Sequence, residues 1–277
     1  MAELFLWTKK DPARTKLSGY RIAGIMKPIT ACRQFQKPLE QQSSFTSMVF
    51  KEFDWTDESE ELTFLNCQFR NITFRDSHFI DCHLIKCEFD TCAFDRANLL
   101  DCEFDKCKFY NGEQEVGCSF KFAAFPGTVF RHSDISLCNF SRANLYRVEM
   151  ENCQGPGVDC SYTTSAQTVG PSVMLNNARL RDCNFSYADF TGAYLGEAEL
   201  SGSRFSHAVL SNVNLESAVL RDCDLQGLDA EGVTIAGADL RGALISGLDV
   251  RQIDMTGVRI NDYQQQTLLE EIGIVVD

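Results

Sequence analysis

The groups most able to do chemistry in this chain are its thiols, and Cys82, Cys87 and Cys92 stand five residues apart within a total of thirteen cysteines. Clustered thiolates ligate zinc or pair as disulfides, but zinc sites favour a Cys-x2-Cys pair and the sequence has none. Eleven of the thirteen, at positions 67, 82, 87, 92, 102, 107, 118, 138, 153, 183 and 223, share a different feature: each lies two residues before a position of a five-residue repeat, and that position is large and apolar in every case but Gly155. Buried cysteine behaves as a small hydrophobe, so packing accounts for that placement without a metal. The odd number of thiols argues against a disulfide scaffold. His78, His83, His132 and His207 are scattered and none has a nucleophile beside it. There is no glycine-rich phosphate loop and no hydrolase elbow. The expectation is a protein that is not an enzyme and has no metal and no cofactor.

The other reactive class is carboxylate. Asp and Glu number 39 against 26 Lys and Arg, a formal charge of −13 with a pI near 4.8. That excess excludes a protein that neutralises phosphates, because nucleic-acid binding leaves a basic footprint. No run of about 18 apolar residues exists, so no bilayer span is expected. The short apolar stretch at the N-terminus precedes its basic pair, the reverse of a secretory signal, and a cytoplasmic location follows as the expectation.

The elements that position these groups come from a repeat. From Phe64 an apolar residue returns at every fifth position through Phe69, Phe74, Phe79, Leu84, Phe89, Phe94, Leu99, Phe104 and Phe109. The pattern resumes from Phe120 to Met150, and again from Leu180 to Leu225, weakening toward Ile260. A period of five suits neither a helix nor a flat strand, since successive centres would face different directions. All centres can share one interior only if the chain turns a corner every pentad. Stacked coils then bury a continuous ladder of Phe and Leu and pair their backbones with the coils above and below. An all-β solenoid is the expected fold class.

Ala-Asn-Leu (97–99 and 143–145), Ala-Asp-Phe (188–190) and Ala-Asp-Leu (238–240) resemble the core consensus of the pentapeptide repeat proteins. The resemblance covers about 62–260 and implies a right-handed quadrilateral β-helix with four pentads per coil. Two interruptions are then expected to be protruding loops. Between Phe109 and Phe120 six residues are added around Tyr110, Asn111, Gly112, Glu113, Gln114 and Glu115. Near Thr168, Val169, Pro171 and Met174 the centres would be Ser165, Gly170 and Leu175, which fill a core poorly, so a ten-residue insertion is expected there. Asn261-Asp262 is expected to cap a short helix over 263–272, ended by Gly273 and followed by a strand at 274–276. The domain boundaries are placed at 1–60 for an N-terminal extension and cap, 61–260 for the β-helix and 261–277 for the tail. The first 45 residues carry eight basic and three acidic side chains.

The two-loop layout, Cys-Glu-Phe-Asp-Lys-Cys-Lys-Phe-Tyr…Gly-Cys-Ser-Phe (102–120), and Leu-Asp-Val-Arg…Gly-Val-Arg-Ile…Gln-Gln-Gln-Thr-Leu-Leu-Glu-Glu-Ile-Gly-Ile-Val-Val (248–276) resemble the quinolone-resistance branch, the Qnr proteins. That resemblance implies a homodimer joined at its C-termini that binds DNA gyrase and topoisomerase IV as a DNA mimic and protects them from quinolones. Residues twenty apart stack on one face, which aligns Asp189, Val209, Asp229 and Asp249, and separately Glu199, Val219 and Asp239. The loops together with Asp189, Asp229 and Asp249 are the expected partner-binding residues, and Leu268, Leu269, Ile272, Ile274 and Val275 the expected dimer interface. The competing reading is a passive β-helical scaffold or adaptor whose acidic exterior serves solubility.

Overall fold

The computed structural model of the chain describes residues 21–22, 25–26, 44–55, 58–170 and 173–275. The corner that the five-residue period demands is a left-handed residue at the end of each pentad. Asn66, Asn71, Asp76 and Asp81 close one coil with φ of 52°, 50°, 58° and 52°. Four such corners bring Phe64 beneath Leu84, and Leu84 beneath Phe104, in parallel register. The first face, defined by Thr63–Leu65, continues through His83–Ile85, Glu103–Asp105, Val129–Arg131, Glu149–Glu151 and Arg179–Arg181. Single bridges at Glu199, Val219, Asp239 and Arg259 carry it to the C-terminal end. The second, third and fourth faces start at residues 68, 73 and 78. The result is the quadrilateral β-helix expected.

Each centre side chain points along the axis of this square, where rings meet in two geometries. Along the rod they stack, Phe69 on Phe89 at 4.7 Å and 4° and Phe89 on Phe109 at 4.6 Å and 8°. Within a coil they meet edge to face, as Phe64 and Phe69 do at 5.4 Å and 71°. Both arrangements suit the ring quadrupole. Toward the C-terminus the ladder becomes aliphatic, through Leu200, Leu220 and Leu240. All twelve described cysteines are buried, Cys160 at a centre position and the other eleven beside one. Most of these thiols reach backbone carbonyls of the coil below, as Cys87 Sγ does to Phe64 O at 3.4 Å. Burial pushes the Cys223 thiol up to about 12. Cys32 lies outside the described residues.

The coil stack begins twenty residues before Phe64 in the sequence. Ser44–Thr46, Val49–Asp54 and Glu58–Glu60 pair with the coil above, setting Phe45 under Phe64 and Phe50 under Phe69. Residues 44–55 and 58–60 of the expected extension are therefore β-helix, while 1–20 and 27–43 lie outside the described residues. Trp55 fills the next centre and donates from Nε1 to Ser59 Oγ at 3.0 Å.

Both insertions are antiparallel hairpins. Tyr110–Asn111 pairs with Val116–Gly117, and above it Phe104 pairs with Phe130 rather than with residue 124. Ala166–Gly170 pairs with Val173–Asn176, and Met150 then pairs with Leu180 rather than with residue 170.

The C-terminal helix, Gln264–Glu271, differs from expectation at both ends. Asn261 and Asp262 contribute backbone carbonyls to its first turn, with no side-chain cap. Gln264 does the capping instead: its Oε1 accepts from Asn261 N–H at 2.7 Å and its Nε2 donates to Leu240 O and Ala243 O at 2.9 and 2.8 Å. The helix thus seals the open end of the rod: Gln264 satisfies the Ala243 carbonyl, which has no further coil to pair with, and adds a second donor to Leu240 O, which already accepts from Ala243 N–H at 3.0 Å. Gly273, at φ 84°, ends it with Ile274 N–H bonded to Leu269 O. Ile274 and Val275 are irregular rather than a strand, because the reversal at Gly273 leaves no rung beside them, and Val276 lies outside the described residues. Among the described residues no helix is long and apolar enough to cross a membrane.

Replacing Gln264 by Ala should leave the Ala243 carbonyl without its donor and destabilise the last coils by about 1–3 kcal/mol. Hydrogen exchange should show faster opening confined to residues 240–260, with protection of the Phe ladder unchanged.

Candidate functional site

Charge on this rod is distributed face by face. On the first face acids and bases alternate along the axis and cancel. Glu103 bonds Arg131 and, at 3.3 Å, His83; Arg131 also reaches Glu151 at 3.7 Å. Glu149 pairs with Arg179 at 2.6 Å. Asp239, only 5% exposed, is gripped by Arg221 at 2.7 Å and Arg241 at 2.6 Å. Of the second expected acidic column, Asp239 therefore spends its charge inside the protein, and Glu199 Oε1 accepts from Ser201 N–H at 3.2 Å.

The third face differs from Asn139 upward. Its bridge ladder runs Asn139, Asp159, Asp189, Val209, Asp229. Asp159 Oδ1 accepts from Ser161 N–H at 3.0 Å and its Oδ2 from Asn139 Nδ2 at 2.8 Å. Asp189 accepts from Thr191 N–H at 2.8 Å and Asp229 from Glu231 N–H at 3.4 Å. None of the three has a cationic partner among the described residues. The amide two residues ahead fixes each side chain in a local turn and leaves its negative charge uncompensated. Three carboxylates are thus held in register along one rigid face.

Asp189 and Asp229 sit where the sequence places them, but Asp249 does not extend the column. It stands before a 3-10 turn, Val250–Gln252, and its carboxylate pairs with Arg251 at 2.7 Å. The left-handed corner due at residue 252 is replaced by that turn, so the chain is out of the ladder at this rung and returns to it only past Gly257, at Arg259. Asp159 was not singled out from sequence because the second insertion sets it thirty residues from Asp189; allowing for the insertion's ten residues recovers it.

The first hairpin rises at the corner between the second and third faces. Asn111 organises it, accepting at Oδ1 from the N–H groups of Glu113 and Gln114 at 2.9 and 3.2 Å and donating from Nδ2 to Asp90 Oδ1 at 2.7 Å. Tyr110 is half-buried, whereas Gly112, Glu113, Gln114 and Glu115 are exposed. The second hairpin leaves the diagonally opposite corner, between the fourth and first faces. Thr168 stands opposite Met174 in its backbone register, and a bulge lies between Thr168 and Gly170, at Val169. Pro171 lies outside the described residues. The two hairpins therefore do not share a face.

In the tail, Leu268 of the expected dimer interface packs instead against the rod's own core, because the helix lies across the end of the coil. Leu269 is half-buried, while Ile272, Ile274 and Val275 are 42%, 47% and 82% exposed.

The sequence profile of pentapeptide repeats matches residues 67–111, 116–154, 173–202, 198–235 and 223–262. The chain belongs to the pentapeptide repeat family. Within that family it is 27% identical over 104 residues to the quinolone resistance pentapeptide repeat protein QnrB96 of Scandinavium goeteborgense, covering 38% of this chain and 49% of the relative. It is 28% identical over 93 residues to the pentapeptide repeat protein QnrB4 of Escherichia coli, covering 34% and 43%. The matched segments thus span about half the length of these curated relatives or less. A trypsin-treated variant of QnrB1, a plasmid-mediated fluoroquinolone resistance protein, superposes with a TM-score of 0.65 over 84% of this chain and all of the other, at 24% identity. Full-length QnrB1 gives 0.60 over 83% of this chain at 23% identity. These solved structures share the pentapeptide repeat fold.

The Arg241 guanidinium, with Arg221 beside it, holds the Asp239 carboxyl well below the usual carboxylate range against the opposing effect of its burial. A depressed folded value stabilises fully above about pH 4, and that stabilisation is lost as pH falls toward the folded value. Urea unfolding between pH 7 and pH 3 should show the native protein losing stability below about pH 4. Asp239→Asn should cost about 1–3 kcal/mol at neutral pH and flatten that dependence. Asp159→Asn, Asp189→Asn and Asp229→Asn should each change stability by less than about 0.5 kcal/mol.

Proposed function

We propose that this protein binds DNA gyrase and topoisomerase IV as a DNA-like acidic rod and protects them from quinolone poisons. The observation that carries the reading is the third face, where Asp159, Asp189 and Asp229 stand in register without cationic partners among the described residues, in a chain of net charge −13. At the rung spacing of parallel strands, their backbones lie on the order of 5 and 10 Å apart along the axis. A protein groove built for phosphates meets here a rigid row of anions that cannot be cut or strand-passed. Resemblance to Qnr proteins, and the quinolone resistance named for relatives in this family, supply the partner class. Long-range attraction alone gives rate rather than selectivity. The two hairpins supply selective contacts, since function concentrates on loops carried by rigid scaffolds. The protein works in the cytoplasm, as a homodimer through Ile272, Ile274 and Val275, without contacting nucleic acid itself and without a cofactor or a catalytic step.

Supercoiling by purified gyrase, titrated with this protein in the presence of ciprofloxacin, should recover as the protein is added. Excision of 166–175, which joins Ser165 to Asn176 in unchanged pentad phase, should abolish rescue while the circular dichroism of the β-helix persists. Absence of rescue and of gyrase binding at every concentration would leave the scaffold reading.

Sedimentation should report a particle of about twice 31.1 kDa. Ile274→Asp with Val275→Asp should halve it without unfolding the rod, because both side chains are exposed in the monomer.

A further inference from the structure

The left-handed corner position favours Gly, Asn and Asp, because a larger side chain there crowds the following carbonyl. Most corners of this rod obey, or use Lys, Arg, His, Ser, Thr or Glu. Four do not: Phe122 at φ 58°, Leu137 at 53°, Tyr162 at 55° and Tyr187 at 60°. These side chains gain little burial in return, being 57%, 43%, 55% and 68% exposed. Fold stability therefore does not explain them.

Their placement is one-sided. Leu137 and Tyr187 follow strands of the second face, so they lie on the edge shared by the second and third faces. Phe122 and Tyr162 follow strands of the third face and lie on its other edge. Neither edge of the first face has a bulky apolar corner. There the corners carry Lys86, Lys106, Asp182 and Asp222 on one edge and Asp81, Asp101, Arg147 and Glu197 on the other.

Three of the four apolar corners, Leu137, Tyr162 and Tyr187, are also held against the next coil. In the next coil, the corner above two of them is glycine, and a Cβ added there would meet the side chain of the coil before. Gly157 would meet Leu137 at 2.6 Å and Gly192 would meet the Tyr162 ring at 2.8 Å. Tyr187 stacks on His207 at 5.2 Å and 16°, and His207 in turn lies over Gly227. Arg142 sits 5.1 Å over the Tyr162 ring, so one of its faces already receives a cation. The first face builds the same overlay from carboxylates, Asp101 on Gly127 and Asp182 on Gly202. Among the described residues, the third face alone is bordered by such apolar side chains on both edges, with Asp159 and Asp189 between them.

We propose that these two edges are a clamp for the rim of the cationic groove that the third face enters. This rests on the topoisomerase reading and names the contacts that give it selectivity. Carboxylates between the edges meet the groove's Lys and Arg. The edges bury apolar stems of the same side chains, with Tyr187 and Phe122 offering ring faces to guanidinium groups. Rigid rings in fixed poses lose little freedom on binding, which is why aromatic anchors dominate protein interfaces. The partner chemistry is that of a protein surface made for nucleic acid and lined with arginine; a neutral surface would leave the three carboxylates unpaired.

The test compares Tyr162→Asn/Tyr187→Asn with the unaltered protein and with Asp159→Asn/Asp189→Asn/Asp229→Asn, binding each to assembled gyrase at low and high ionic strength. Asn suits the left-handed corner, so the tyrosine variant should melt at the same temperature as the unaltered protein or higher. It should bind gyrase at least about tenfold more weakly at both ionic strengths, a loss of about 1.4 kcal/mol. The carboxylate variant should lose affinity mainly at low ionic strength, where charge is unscreened. Full-strength binding by the tyrosine variant overturns the clamp and leaves the topoisomerase reading standing. A melting temperature lowered by several degrees also overturns it, by showing that the rings serve the fold. No binding by the unaltered protein overturns the topoisomerase reading and the clamp with it.

Discussion

The structure depends on one backbone constraint, a left-handed residue at every fifth position. That conformation turns the chain through a corner, and four corners return it to its own starting face. Only then can Phe69, Phe89 and Phe109 stack as parallel rings, and only then do residues one coil apart stand in register outside. The constraint also explains the hairpins. An insertion is tolerated where the chain re-enters the ladder at a corner, as it does on both sides of Tyr110–Gly117 and of Ala166–Asn176. Glycine is required at few of these corners, and at Gly157, Gly192 and Gly227 it makes room for the side chain of the coil before.

Because the frame is so regular, the four faces differ only in what the sequence places on them. The first face spends its carboxylates on neighbours one coil away, and Asp239 with its two arginines is the extreme case. On the third face the same rung positions carry Asp159, Asp189 and Asp229 with local turn hydrogen bonds in place of ion pairs. Such bonds hold geometry without cancelling charge. One solenoid thus contains a self-neutralised face and a face left to attract something else.

Much of this was legible in sequence because period five is visible wherever it is uninterrupted. The solenoid, the buried thiols and both hairpins follow from counting. Legibility ends where phase changes without a signal. Trp55 and Ser59 are consecutive centres only four residues apart, so counting backward from Phe64 in fives lands on Asp54 and Val49 and misses Phe50 and Phe45. The same blindness hid Asp159 behind the second insertion. At the C-terminal end the error is of another kind: Asp249 keeps numerical phase after the backbone has left the ladder. Gln264, which plugs the rod, was invisible because its role depends on two carbonyls more than twenty residues away. The apolar corners were readable as residue types, but their alignment along the edges of one face needs both insertions placed.

The central claim is that the third face is the surface covered by the topoisomerase. Carbodiimide labelling of carboxylates, read by mass spectrometry for the free protein and its gyrase complex, tests it most directly. The account predicts that Asp159, Asp189 and Asp229 become protected in the complex while Asp182 and Asp222, exposed at the corner between the first and second faces, label as before. Equal labelling of the three in both samples, or protection of Asp182 and Asp222 instead, would contradict it.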